Sequence, residues 1–108
     1  MFFHKDLTKE KWESLSIFEQ MANMGAEFGR AENWKVKDKK LSEAAFFRGL
    51  ELLDTTITDK KNRKRLKELL RLREMLLDYF YFDNIYGSSD QKWNDYFYNF
   101  NYAASLRK

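Results

Sequence analysis

Two sets of side chains in this chain are spaced to do chemistry. The first is acidic. Glu10 and Glu13 in "EKWE", and Glu51 and Asp54 in "ELLD", are carboxylates three residues apart. On a helix that spacing puts both acids on one face. Two such pairs facing each other could hold Mg²⁺, which needs oxygen ligands converging to near-octahedral geometry. The chemistry would be metal-assisted phosphate hydrolysis. The second set is basic: Lys60, Lys61, Arg63, Lys64 and Arg65 in "DKKNRKRLKELLRLR". A helix N-terminus is already partly positive and prefers acids, so cations crowded there must be solvated or must meet something negative. Nucleic acid is one such partner, and an acidic protein is another.

The acids look like the pattern of helical nucleotide pyrophosphatases, roughly Glu-x-x-Glu followed by Glu-x-x-Asp. Two arguments weigh against that enzyme. Glu51 projects away from the apolar stripe of its helix, and antiparallel pairing puts Glu10 and Glu13 beyond the level of Glu51 and Asp54. Di-iron bundles need Glu-x-x-His pairs, and the chain has none. Small toxin nucleases of the HEPN class carry an arginine followed by a histidine, whereas the only histidine, His4, precedes every arginine. Without cysteine there is no thiolate nucleophile and no Cys-ligated metal. No catalytic set emerges, and neither a metal nor another cofactor is expected.

These side chains need helices to hold them. At 108 residues with no proline and four glycines, the chain suits a single domain spanning 1–108, built of long helices. The net charge of +3 is uneven: residues 60–73 carry eight cations and one anion, while "KVKDKK" at 35–40 carries four cations and one anion. No apolar run approaches the ~20 residues of a membrane span, and "MFFHKDLTKEK" has no signal-peptide pattern. A cytoplasmic protein that does not enter membranes is expected.

Apolar periodicity predicts four helices. The first runs from about Thr8 to Trp34 on Phe18, Met21, Gly25 and Phe28, with Ala22, Gly25 and Gly29 as a bare strip for close approach. The second runs from about Lys39 to Ile57 on Phe46, Gly49, Leu50, Leu53 and Ile57. The third runs from about Lys60 to Asp83, N-capped by Asp59, on Leu66, Leu69, Leu70, Leu76, Leu77 and Phe80. After "NIYGSSD", a capping box of Ser88 and Gln91 opens the fourth, which buries Trp93, Tyr96, Phe97, Phe100 and Ala104 and ends near Leu106. Short connections make neighbours antiparallel. The expected fold is all-α, a four-helix up-down-up-down bundle.

Two features exceed what such a bundle needs. Arg73 falls in the third helix's apolar stripe and calls for a buried partner. Asp54 is among the residues nearest its level, so Arg73 and Asp54 form a candidate buried polar pair. Leu72, Met75, Tyr79 and Phe82 make a second apolar stripe on the third helix. An apolar face left over usually means another copy, so these four are the candidate homo-oligomer interface.

The stretches "LSIFEQMANMGAEFGRA" and "LLDYFYFDNIYGSSDQKW" resemble a family of small uncharacterised prokaryotic helical-bundle proteins. That resemblance implies a helical bundle and brings no activity or binding residues. A looser fold-level similarity links the chain to four-helix proteins of the 23S rRNA intervening-sequence type, by analogy only. The sequence therefore favours a non-enzymatic, homo-oligomeric interaction module. The alternative is a nucleic-acid-associated protein using residues 60–65, and a Mg²⁺-dependent pyrophosphatase-like enzyme ranks behind both.

Overall fold

The computed structural model describes residues 8–106. Among these the chain is all-helical, with a short α1 (Lys9–Ser14) and four longer helices: α2 (Ile17–Trp34), α3 (Lys39–Thr58), α4 (Leu66–Tyr81) and α5 (Asp90–Leu106). A 3₁₀ turn, Lys60–Arg65, runs directly into α4. No helix among the described residues is long and apolar enough to cross a membrane.

The predicted first helix is two helices. Ser16 explains the break: its hydroxyl accepts from Glu19 N while the Glu19 carboxylate accepts from Ser16 N, both at 3.1 Å. This capping box restarts the chain after Leu15. The start of α5 also differs from expectation. Ser89 Oγ, not Ser88 Oγ, accepts from Lys92 N at 3.2 Å, so the cap lies one residue later.

α2 is the central element, packed against both α3 and α5. One core gathers Met21, Met24, Phe28, Ala45, Phe46, Leu53, Leu69, Leu72, Leu76, Trp93 and Phe97. Phe28 sits among aromatic rings from three other helices, with centroids 5.6 Å from Phe46, 5.8 Å from Phe97 and 6.4 Å from Phe80. Much of the high aromatic content is therefore spent filling one shared core. Gly25 is where α5 comes close: an added Cβ would lie 2.7 Å from Phe97 Cβ. Gly29, from the same expected bare strip, has nothing within 4 Å and takes no part in close packing.

The inner face of α4 is turned relative to the expected one. Leu69, Leu72 and Leu76, spaced 3 and 4, are buried, while Leu66 and Leu70 are exposed. Leu72 therefore moves from the proposed outer stripe into the core, at 4% exposure. Met75 and Tyr79 pack against that core. Of the four residues assigned to an oligomer surface, only Phe82 stands clear, at 71% exposure. α4 had looked two-sided because its single buried face falls between the two stripes.

Candidate functional site

The cationic turn is built on a buried polar frame. Trp12 Nε1 donates to Thr56 Oγ1 at 2.9 Å, and Thr56 Oγ1 donates to Leu52 O at 2.7 Å. Gln20 Nε2 donates to Trp12 O at 2.9 Å and to Asp59 Oδ2 at 3.0 Å. Asn62 Nδ2 donates to Gln20 Oε1 at 2.9 Å and to Thr56 O at 3.1 Å. Gln20, Thr56, Asp59 and Asn62 are all buried. Buried polar groups require such partners, and here they tie α1, α2 and α3 to the turn.

Asp59 caps the turn, accepting from Lys61 N at 3.2 Å. Burial pushes its carboxyl up, but hydrogen bonds from the Lys61 ammonium and from Gln20 outweigh that and hold it below the ordinary range. Lys61 Nζ donates both to Asp59 Oδ2 and, at 2.8 Å, to Glu13 O. Arg65 is also engaged, with Nη1 3.0 Å from Glu68 Oε1. The five candidate cations thus divide. Lys61 and Arg65 serve the fold, whereas Lys60, Arg63 and Lys64 are exposed and have no acidic partner among the described residues. Lys67, one turn on, is exposed as well. The "KVKDKK" segment lies at the other end of α3, about 30 Å away for a helix of its length, and does not join this patch.

Arg73 and Asp54 do meet, Nε to Oδ1, at 2.8 Å. The side chains are 37% and 49% exposed, so the pair lies at the surface and is not the buried pair expected. Turning the α4 face toward Leu72 carries Arg73 to its flank. A buried carboxylate lies elsewhere, at Glu27: 2% exposed, it receives Arg30 Nη1 at 2.8 Å and Arg48 Nε at 3.1 Å, both from side chains that solvent reaches. Tyr79, assigned to an interface, instead donates to Asp90 Oδ1 at 2.5 Å and accepts from Lys35 Nζ at 3.1 Å.

The acids proposed for Mg²⁺ are not assembled: no group of three or more His, Asp or Glu among the described residues could hold a metal ion. Glu51 and Asp54 share an open hollow of about 580 Å³ on α3 with Phe47 and Leu50, without Glu10 or Glu13. His4 lies outside the described residues.

A second feature went unnoticed in the sequence, a groove of about 480 Å³ between α4 and α5. Leu72, Met75, Trp93 and Tyr96 supply its apolar lining, and Glu68, Arg71, Ser88 and Lys92 supply polar groups. The loop that closes one side is rigidly specified. Buried Asp78 accepts from Ile85 N at 3.0 Å and Tyr86 N at 3.1 Å. Asn84 and Gly87 take the left-handed backbone, with φ 54° and 66°. Asn84 also bonds Ser88 through both ends of its amide, at 2.8 and 2.9 Å. The groove adjoins the cationic turn through Glu68, whose carboxylate meets Arg65 and, at 3.4 Å, the Tyr96 hydroxyl. Burial, then the Glu68 charge, pushes the Tyr96 phenol above its ordinary value. Trp93 belongs to the core as expected and Tyr96 packs against it; that both also line a groove is not legible, because apolar spacing cannot separate a core wall from a groove wall.

No family model matches this chain, and neither a curated protein nor a solved structure matches it.

Proposed function

We propose that the chain is a non-enzymatic polyanion-binding module that docks nucleic acid on its 3₁₀ turn. The observation that carries this is the state of Lys60, Arg63 and Lys64: three exposed cations without acidic partners among the described residues, on a turn pinned from beneath by Asn62. A solvated surface turn has no need of a buried four-residue polar frame, whereas a docking surface gains from being held in one shape, since less ordering is required on binding. The reading takes residues 1–108 as one cytoplasmic domain, with the long helices in up-down-up-down order.

The test is binding of a labelled RNA or DNA oligonucleotide across a salt series. Each phosphate neutralised contributes close to −0.9 to the slope of log K against log salt on duplex DNA. The triple substitution Lys60→Glu, Arg63→Glu, Lys64→Glu should flatten that slope by about 3. Wild-type protein that ignores both nucleic acids at low salt, or a triple variant that binds as well as wild type, ends the reading.

A second reading, self-association, keeps one observation in its favour. Phe82 and Ile85 are 71% and 78% exposed at the end of α4, beside a small hollow they line with Leu77. Light scattering on the eluting protein tests it. A dimer that Phe82→Ser with Ile85→Ser converts to monomer supports it, and a wild-type monomer at high concentration removes it.

A further inference from the structure

We infer that the groove between α4 and α5 is a binding site for a small aromatic carboxylate. This is separate from the polyanion surface and needs none of its cations.

Three observations converge on it. The first is size and lining. About 480 Å³ with an apolar floor of Leu72, Met75, Trp93 and Tyr96 is within the range of small-molecule sites, which pair an apolar body with a few placed polar groups. Aromatic walls favour a planar occupant through offset or edge-on ring contacts.

The second is unspent hydrogen-bonding capacity. Trp93 Nε1 and Ser88 Oγ are both buried, and neither finds a partner among the described residues. Both residues line the groove. A buried donor without a partner costs stability, and these two sit in the wall of one cavity. Both atoms are closed off from the open space of the groove, so its wall must shift before an occupant's oxygens reach them.

The third is charge. Arg71 and Lys92 come from opposite walls and are held over consecutive loop residues. The Arg71 guanidinium lies 5.3 Å from the Tyr86 ring centroid, and Lys92 Nζ donates to Gly87 O at 3.0 Å. Among the described residues neither is in an ion pair. The one acid of the lining, Glu68, is engaged by Arg65 and Tyr96. The groove is therefore rich in donors and cations and short of free acceptors, which complements an anion. A carboxylate near Arg71 and Lys92, with its ring against Trp93 and Tyr96, uses both cations and the aromatic wall.

The experiment is a titration of the full chain with 2-naphthoate and with its neutral counterpart 2-naphthamide, followed by the indole N–H signals in ¹H–¹⁵N spectra. The Trp12 indole is already bonded to Thr56 and serves as an internal reference. Naphthoate should move the Trp93 indole signal saturably and leave that of Trp12 in place, with naphthamide at least about fivefold weaker. Arg71→Gln with Lys92→Gln, both on exposed side chains, should abolish that preference for the anion while the fold is retained. The inference is overturned if naphthoate leaves the Trp93 signal unmoved. It is equally overturned if naphthamide binds as well as naphthoate, or if the double variant keeps the preference. Running the titration on the Lys60, Arg63, Lys64 charge-reversed protein separates the two proposals: an unchanged response is expected, and a lost one would place the anion on the turn instead of in the groove.

Discussion

Asn62 and Gln20, 42 residues apart, share a buried amide–amide hydrogen bond of 2.9 Å. It joins the middle of the cationic turn to the second turn of α2, and each amide is bonded again, Asn62 to Thr56 O and Gln20 to Trp12 O. Removing one member strands the others in a place water does not reach. Asn62→Ala should cost about 1–3 kcal/mol of unfolding free energy, measured by urea denaturation. It should also weaken oligonucleotide binding although every cation remains, because the turn loses its fixed shape. An Asn62→Ala protein with wild-type stability would show that the frame carries no weight.

Gly25 is the point of contact between α2 and α5. An added methyl would meet the Cβ and Cγ of Phe97 at 2.7 Å, the stem of the ring and not a part that can swing aside. Gly25→Ala should destabilise by about 1–3 kcal/mol, even though alanine is the better helix former. Gly29→Ala, with open space around the new methyl, should stabilise by up to about 1 kcal/mol. Thermal melts of the two variants should shift in opposite directions.

The Arg73–Asp54 pair has good geometry at 2.8 Å but stands in solvent on both sides. Exposed pairs of this kind are worth about 0–1 kcal/mol. Arg73→Ala should therefore change stability by less than about 1 kcal/mol, and salt should erase most of the effect. Glu27 behaves differently. Glu27→Ala removes the buried carboxylate that Arg30 and Arg48 meet and, with both arginines still reached by solvent, should cost about 1–3 kcal/mol. Equal losses for the two variants in a denaturant series would contradict this ranking.

Helix content was legible because proline is absent and apolar residues recur at helical spacing, and α3 and the end of α5 fall within a residue of expectation. The break at Leu15 was missed although its signal, Ser16 followed by Glu19, is a capping box in plain sight. The phase of α4 was misread because its leucines are so frequent that two faces fit equally well, and only contact with α3 and α5 selects Leu69, Leu72 and Leu76. The site followed the same division. The cations of 60–65 could be read directly, as could the Asp59 cap. The frame under them could not, because Trp12, Gln20, Thr56 and Asn62 become a network only after α1, α2 and α3 pack. The groove is illegible for the same reason: Arg71 and Lys92 are 21 positions apart and line one groove only because each is held to the loop, at Tyr86 and Gly87.

Glu32, near the end of α2, provides a pH test of the packing at the α4–α5 loop end. Burial pushes its carboxyl from an ordinary 4.5 up to about 7, with the Asp90 charge adding to the rise and Lys35 opposing it. The folded chain thus holds a proton more tightly than the unfolded chain between those values. By linkage, stability is highest below about pH 4.5 for this group and falls as pH rises toward 7. Full burial would make the shift worth several kcal/mol, but Glu32 is only half-buried, and solvent screening reduces the effect to about 1 kcal/mol. Glu32→Gln stays neutral throughout. Its stability advantage over wild type should therefore grow by about 1 kcal/mol between pH 4.5 and pH 8, read as the difference in urea midpoints. The comparison isolates Glu32, because every other titrating group is common to both proteins. A constant difference across that range would mean that the carboxyl is as well solvated folded as unfolded, and that Asp90 does not lie close enough to repel it.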